Sequence, residues 1–186
     1  MPAGLTRPLE STEVASGGHA ARVSALAVSV ARRLGWDDDR LAVLRLGGWI
    51  HDIGKLALSE GLLRKPGPLT QSERSEIETH PAAGARMLAP VGVSPRALAC
   101  VLYHHERWDG AGYPSGRAAT EIPVEARLLA IADAFDAMTS QRPYRAAMPT
   151  DEALSELERC AGTQFDPQLV RVFAAAWRAH PQPALA

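Results

Sequence analysis

Histidines and acids recur close together along this chain of 186 residues. Five of its six histidines lie beside acids, other histidines or expected helix ends: His19, His51, His80, His104 and His105. Asp52 follows His51 directly, and an imidazole next to a carboxylate can bind one metal ion or reach a second. Taken alone, such a dipeptide is more often an ordinary polar pair at the end of a helix.

His104 and His105 are consecutive, which limits how both can act together. Neighbouring residues on a regular helix point about 100° apart, so both rings face one site only near a helix end. Residues 106–110, which include Gly110, supply such an end. The alternative is that one of these histidines is buried in the core and the other is exposed.

Two acids stand in an otherwise apolar segment. Asp133 and Asp136 are three residues apart among alanine, leucine, isoleucine, phenylalanine and methionine, so they share one face of a helix. Burying carboxylates there is costly unless a cation or hydrogen-bond donors compensate their charge. A bound metal ion would compensate it.

Together these residues provide five imidazoles and two or three carboxylates, a complement that suits two transition-metal ions better than one. Nitrogen and oxygen ligands without thiolate favour iron, manganese or zinc and disfavour an iron–sulfur cluster. Neither Cys100 nor Cys160 has a second cysteine at metal-ligand spacing. His19 and His80, each taken alone, would more often be structural.

The elements that must position these residues are predicted to be helices. Apolar residues recur at helical spacing, and no sustained two-residue alternation indicates a strand, so we expect an all-α, single-domain bundle of six to seven helices. Four helix starts carry capping signals: Asp37, Thr70 with Glu73, Ser94 with Pro95, and Asp166 with Pro167. Further helices are expected over about 124–139 and from Thr150, and His80 is expected on the helix that begins at Thr70.

The segments between and around these helices also carry signals. Residues 107–123 are rich in glycine and proline and predict a long ordered loop, a type of segment that is often functional. We expect residues 1–12 and 179–186 to be flexible ends around one domain at 13–178.

Composition excludes several classes of function. The 20 basic and 21 acidic residues leave a net charge of −1, so no basic field attracts nucleic-acid polymers or an anionic membrane. The longest apolar run, at 97–103, is far shorter than the about 20 residues that span a bilayer. No secretory signal pattern opens the chain, and its two cysteines fit a reducing compartment. We therefore expect a cytoplasmic protein.

Five sequence segments carry a family resemblance. They are HDIGK at 51–55, HHERWDGAGYPSG at 104–116, IADAFDAMTS at 131–140, RPYR at 142–145 and GTQFDP at 162–167. They resemble the signature of HD-GYP domains, bacterial phosphodiesterases of the HD superfamily that hydrolyse cyclic di-GMP. The resemblance covers residues 13 to 178 and implies the helical HD fold with an ordered loop around Gly112, Tyr113 and Pro114.

The resemblance also implies roles for individual residues. The positions that match the family's metal ligands are His19, His51, Asp52, His80, His104, His105 and Asp133, with Asp52 bridging two ions. Lys55 matches the lysine that contacts the bridging hydroxide or the scissile phosphate. Arg142 and Arg145 match residues that hold substrate phosphates, and the loop at 112–114 belongs to the substrate-binding region.

These roles imply hydrolysis by in-line attack of a hydroxide that bridges two metal ions, most readily iron or manganese, with zinc as an option. The first product would be linear pGpG, with further cleavage to GMP as a second step. Two alternatives stay open: the same chemistry on cyclic GMP-AMP or a linear dinucleotide, and a signalling module that docks a diguanylate cyclase without turnover.

Two departures from the family pattern qualify these expectations. Members with a third metal ion carry a glutamate one helical turn before the first histidine ligand, where this chain has Ala15, so two ions are expected. HD-GYP domains also usually follow a receiver, sensor or membrane module, and no such segment is evident here. We therefore expect either an excised domain with a regulatory partner domain or a stand-alone enzyme.

Overall fold

The computed structural model describes residues 18–141 and 146–179 of the chain. Its described part contains nine α-helices and no strand, which confirms the predicted all-α class. The helices are α1 (Gly18–Arg33), α2 (Asp38–Ile50), α3 (Glu60–Leu63), α4 (Gln71–Ile77), α5 (His80–Leu88), α6 (Pro95–Tyr103), α7 (Val124–Thr139), α8 (Thr150–Arg159) and α9 (Pro167–Ala179).

The predicted capping residues begin the helices as expected. The Asp37 side chain accepts a hydrogen bond from the backbone N–H of Arg40, and Thr70 and Glu73 form a reciprocal capping box. Ser94 caps α6 through the N–H of Ala97. Asp166 accepts the N–H groups of residues 168 and 169 at the start of α9. Each cap satisfies backbone donors that have no partner inside the helix.

The helix predicted to begin at Thr70 and contain His80 is wrong in one respect, because the structure divides it. α4 ends at Ile77, and α5 begins at His80 with Pro81 in its first turn. Proline has no N–H, so Pro81 cannot bond the carbonyl of Ile77, four residues earlier. That carbonyl instead accepts a hydrogen bond from Nδ1 of His80, at 2.8 Å. This division, together with the short α3, gives nine helices where six to seven were expected.

The apolar core surrounds α7. The residues buried in that helix include Leu128, Leu129, Ile131 and Phe135, and the core extends to α1, α8 and α9. The Phe135 ring lies 5.1 Å from the Phe173 ring of α9, edge to face. α7 is therefore enclosed on most of its surface, which places both of its acids, Asp133 and Asp136, in buried positions.

The loop at 107–123 is ordered, as predicted, and contains a short 3₁₀ helix, Ala119–Glu121. It is fastened to the turn before α9: the N–H of Trp108 bonds the carbonyl of Gln164 at 3.1 Å, and the N–H of Asp109 bonds that of Thr163 at 2.8 Å. Among the described residues, no helix is long and apolar enough to cross a membrane.

Candidate metal centre

The seven predicted ligands lie on or just after five different helices and meet at one place. His19 lies on α1, His51 directly follows α2, and His80 opens α5. His104 directly follows α6, and Asp133 lies on α7. Because α6 ends at Tyr103, His104 and His105 can turn towards each other, and their ring centroids are 4.1 Å apart. The helix break predicted at this pair is confirmed.

Three of the histidines are oriented in the same way. The Nδ1 atoms of His51, His80 and His104 each lie within 2.8–2.9 Å of the carbonyl oxygen three residues earlier, at the end of a helix. A carbonyl only accepts, so each Nδ1 carries the proton and each Nε2 keeps its lone pair. Fixing the ring through its second nitrogen is typical of histidine ligands in metal sites.

The ligand atoms form two groups. Their members lie within 4.8 Å of one another: Asp52, His80, His104 and His105 in one group, and His19, His51 and Asp133 in the other. Asp52 stands between the groups. Its Oδ1 lies 3.3 Å from Nε2 of His80, whereas its Oδ2 lies 3.4 Å from Nε2 of His51. One carboxylate therefore presents an oxygen to each group.

Two polar atoms in this cluster show that it fits metal ions. Nε2 of His51 and Oδ1 of Asp52 are buried and have no hydrogen-bond partner among the described residues. Buried polar atoms are nearly always paired, so an unpaired nitrogen and oxygen indicate a missing partner. Both atoms carry lone pairs, which a cation would satisfy. The Nε2 atoms of His80 and His104, 3.4 Å apart, also both carry lone pairs and cannot bond to one another.

The electrostatics of the group formed by Asp52, His80, His104 and His105 also favour a cation. Burial lowers the pKa of His104 to about 4, against the opposing effect of Asp52, so this ring is neutral at physiological pH. Burial alone would raise the pKa of Asp52, but the charge of Lys55, whose ammonium group donates to the carboxylate, holds it well below its usual range. The group therefore presents an ionised carboxylate and an uncharged imidazole, the forms that bind metal.

His19 is held differently. Burial lowers its pKa, but hydrogen bonds to Asp133 and Asp136 and the charges of these carboxylates outweigh burial and raise it to about 10. Its Nε2 lies 3.2 Å from Oδ1 of Asp133, and its Nδ1 lies 2.7 Å from Oδ2 of Asp136. Without metal, His19 is therefore protonated and paired with two acids.

Comparison with known proteins agrees with this arrangement. The profile of the family described as "HD domain" matches residues 5–169. The chain belongs to this family. The predicted HD-GYP resemblance is also confirmed, since the chain is 39% identical over 173 residues to the cyclic di-GMP phosphodiesterase response regulator RpfG of Xanthomonas campestris, covering 89% of this chain and 45% of that protein.

A second relative and a solved structure extend the comparison. A 3′3′-cGAMP-specific phosphodiesterase of Vibrio cholerae is 38% identical over 153 residues, covering 82% of this chain and 33% of that protein. An HD-GYP-type protein from Bdellovibrio bacteriovorus shares the fold with a TM-score of 0.73 at 22% identity, over 91% of this chain and 55% of the other. This HD domain spans less than half the length of the two curated relatives.

In this HD domain the loop at 112–114 lies against the group of candidate ligands that contains His80 and His105. The Tyr113 ring is 4.9 Å from the ring of His105 and 6.5 Å from that of His80, and the Tyr113–Pro114 peptide is cis. A Cβ atom on Gly112 would lie 2.6 Å from the Cα of Glu106, so only glycine lets the loop pass so close to the backbone.

Glu106 braces this loop, a role that the sequence did not reveal. Its buried carboxylate accepts the backbone N–H of Ser115 at 2.7 Å and that of Arg117 at 3.1 Å. Because Glu106 directly follows two histidines, the sequence alone is also compatible with a further metal ligand. The folded structure shows instead that its carboxylate binds the backbone of the loop.

Gly54 allows the chain after Asp52 to pack closely against α5. A Cβ atom there would overlap the carbonyl oxygen of His80 and lie 2.5 Å from the backbone nitrogen of Gly84. The absent side chain lets the segment after Asp52 press against α5. The HD domain thereby brings Asp52 and His80 together.

Lys55 lies beside the centre, with its Nζ donating to Oδ2 of Asp52 at 2.5 Å. The predicted phosphate-binding residues Arg142 and Arg145 fall outside the described residues, as does Ala15, so their roles stay predictions. All seven predicted ligands are brought together.

Proposed function

We propose that this HD domain is a metal-dependent phosphodiesterase that hydrolyses cyclic di-GMP to pGpG, and further to GMP. The observation that carries the proposal is the placement of Asp52, whose two carboxylate oxygens face different groups of nitrogen and oxygen ligands. Two metal ions that share one carboxylate are a recurring arrangement for attack on phosphorus. The similarity to curated cyclic dinucleotide phosphodiesterases supports the substrate class.

Two divalent transition-metal ions are the cofactors that fit this proposal. His19, His51 and Asp133 would hold one ion, His80, His104 and His105 the other, and Asp52 both. Neither group contains a thiolate, so iron or manganese is favoured and zinc is an option. When bound, the ions supply Lewis acidity and lower the pKa of water into the physiological range.

Lys55 is proposed to act on the substrate in addition to its contact with Asp52. Its side chain is only 18% exposed, so solvent screens its charge less than at an open surface. Negative charge gathers on the phosphoryl oxygens during hydrolysis, and a fixed cation at this position stabilises that charge. The role is therefore catalytic and separate from metal binding.

The remaining substrate contacts follow from the loop and the chain after α7. The Tyr113 ring forms a wall beside His105, against which a base or sugar can pack. Arg142 and Arg145 are proposed to grip the phosphates, since a guanidinium group donates two parallel hydrogen bonds where lysine is a point charge.

A second candidate substrate is 3′3′-cyclic GMP-AMP, which the similarity to the Vibrio cholerae enzyme favours. The metal ligands do not distinguish the two dinucleotides, because both present the same 3′–5′ phosphodiester. Discrimination must come from contacts with the bases.

The test is hydrolysis by metal-reconstituted protein, prepared without oxygen and loaded with Mn²⁺ or Fe²⁺. Cyclic di-GMP, 3′3′-cyclic GMP-AMP and pGpG are each supplied, and products are separated by chromatography. We expect cyclic di-GMP to be converted fastest, and Asp52→Ala to abolish both hydrolysis and stable metal binding. Faster cleavage of cyclic GMP-AMP would establish the second candidate.

Two outcomes would contradict the proposal. Full activity of the Asp52→Ala protein would refute the assignment of the metal centre. Tight binding of two ions and of cyclic dinucleotide without any hydrolysis would instead indicate a binding module. Glu125→Gln is the matched control, because Glu125 is a buried carboxylate on α7 that pairs with Arg40 rather than with the metal centre.

A further inference from the structure

Asp136 is a buried carboxylate that belongs to neither group of candidate ligands. Its side chain is 3% exposed. Oδ2 lies 2.7 Å from Nδ1 of His19, while Oδ1 and Oδ2 accept from Nε and Nη2 of Arg22 at 2.6 and 3.1 Å. A forked contact with a guanidinium group is geometrically strict and fixes the plane of the carboxylate. Asp136 therefore meets His19 in one defined orientation.

In the other three oriented histidines, a backbone carbonyl accepts the Nδ1 proton. His51, His80 and His104 follow helix ends, where unpaired carbonyls face them three residues earlier. His19 differs from these three, because the partner that the described residues place at its Nδ1 is a carboxylate and not a backbone carbonyl. Asp136 supplies this carboxylate from α7.

We propose that Asp136, held by Arg22, is a positioning residue that selects the metal-binding form of His19. By accepting the Nδ1 proton, it leaves Nε2 as the nitrogen that faces Asp133, where it would complete the group formed with His51 once a metal ion displaces the Nε2 proton. This inference rests on the proposed metal centre and extends it by assigning Asp136 and Arg22 a role in only one of its two groups.

The charge of Asp136 makes the two groups unequal. A carboxylate is a stronger acceptor than a carbonyl and increases the basicity of the imidazole that bonds to it. His19 is consequently a stronger donor towards metal than histidines whose Nδ1 protons bond to carbonyls. Loss of Asp136 should weaken the ion at His19, His51 and Asp133, and leave the ion at His80, His104 and His105 in place.

The test is metal binding by the purified chain after chelation and dialysis. Mn²⁺ and Zn²⁺ are titrated separately by calorimetry, and bound metal is counted by elemental analysis. We expect the wild type to bind two ions, Asp136→Ala to bind one of them about 10- to 100-fold more weakly, and Asp136→Asn to show a smaller loss. Asparagine retains a neutral acceptor for the Nδ1 proton.

Glu125→Gln is again the matched control, since it removes a buried, arginine-paired carboxylate from the same helix. The Glu125→Gln protein should bind both metal ions as tightly as the wild type. Nitrogen-15 NMR of the Zn²⁺-loaded protein provides a second readout: the Nδ1 proton of His19 should be observed in the wild type and lost from Asp136→Ala. This signal separates the positioning role from a general loss of stability, which melting curves of each variant record.

Unchanged affinity for both ions in Asp136→Ala would overturn the positioning role, and so would equal weakening of both. A wild type that binds two ions but cleaves no dinucleotide would overturn the proposed function and leave the positioning role standing. A wild type that binds no metal would overturn both proposals.

Discussion

The unusual protonation of His19 predicts that the metal-free chain loses stability as pH rises. Its pKa is raised from 6.5 to about 10 in the folded chain, because its hydrogen bonds and ion pairs with Asp133 and Asp136 outweigh burial. Below pH 6.5 the ring is charged in both the folded and the unfolded chain. Between pH 6.5 and 10 the unfolded chain releases this proton and the folded chain keeps it, so the free energy of unfolding decreases.

The size of this effect follows from the pKa difference. Each pH unit between the two pKa values changes the free energy of unfolding by about 1.4 kcal/mol. From pH 6.5 to 9.0 the largest decrease is therefore about 3 kcal/mol. The His19 side chain is 12% exposed, so solvent screening removes only part of this value.

The assay is urea unfolding of the chelated protein at pH 6.5 and 9.0, followed by circular dichroism. His19→Gln is measured in parallel, since glutamine carries no titrating proton and the other titrating groups are common to both proteins. We expect the wild type to lose more stability than the variant over this interval. Equal losses in the two proteins would refute the ion-pair assignment.

In the metal-loaded protein, His19 should contribute the opposite pH dependence to the free energy of unfolding. Only the deprotonated ring binds metal, so loading at His19 releases a proton and becomes more favourable as pH rises. Stabilisation by added Mn²⁺ should therefore increase between pH 6.5 and 9.0, and the same unfolding experiment measures it.

Three further predictions concern catalysis and packing. Lys55→Ala should leave metal content unchanged and reduce turnover by about 100-fold, and a parallel fall in bound metal would assign Lys55 a structural role instead. Gly54→Ala should lower the free energy of unfolding in urea by about 1–3 kcal/mol and weaken metal retention, because the added Cβ meets the backbone at His80. Gly61→Ala is the control, since Gly61 has open space around it. The double variant Arg142→Ala, Arg145→Ala should raise KM or lower the rate for cyclic di-GMP without changing metal content, and unchanged kinetics would exclude both residues from the substrate site.

Local chemistry explains why much of the fold could be predicted. Asp37, Thr70 and Ser94 cap their helices through hydrogen bonds that span two or three residues, so the signal lies within a short segment. The break at His80 was also encoded locally, by Pro81, but a proline in the first turn of a helix and one after a helix end look alike in sequence.

The sequence predicted which residues gather in the candidate metal centre, but not the contacts that support them. Adjacent pairs such as His51–Asp52 and His104–His105 stand out in sequence and match a family signature. The contact between Asp136 and His19 joins residues 117 apart and depends on the packing of α1 against α7. Glu106 could equally have been a ligand, and only the course of the loop shows that its oxygens face backbone N–H groups.

The wide spacing of the ligands along the chain has a consequence for how the protein matures. They extend from His19 to Asp133, on or just after five helices, so an unfolded chain offers a metal ion only isolated pairs, such as His51 with Asp52. Small zinc modules fold because metal binds, whereas here the apolar core around α7 must assemble first. On the proposed metal centre, this order predicts that the metal-free chain folds by itself and takes up its ions afterwards.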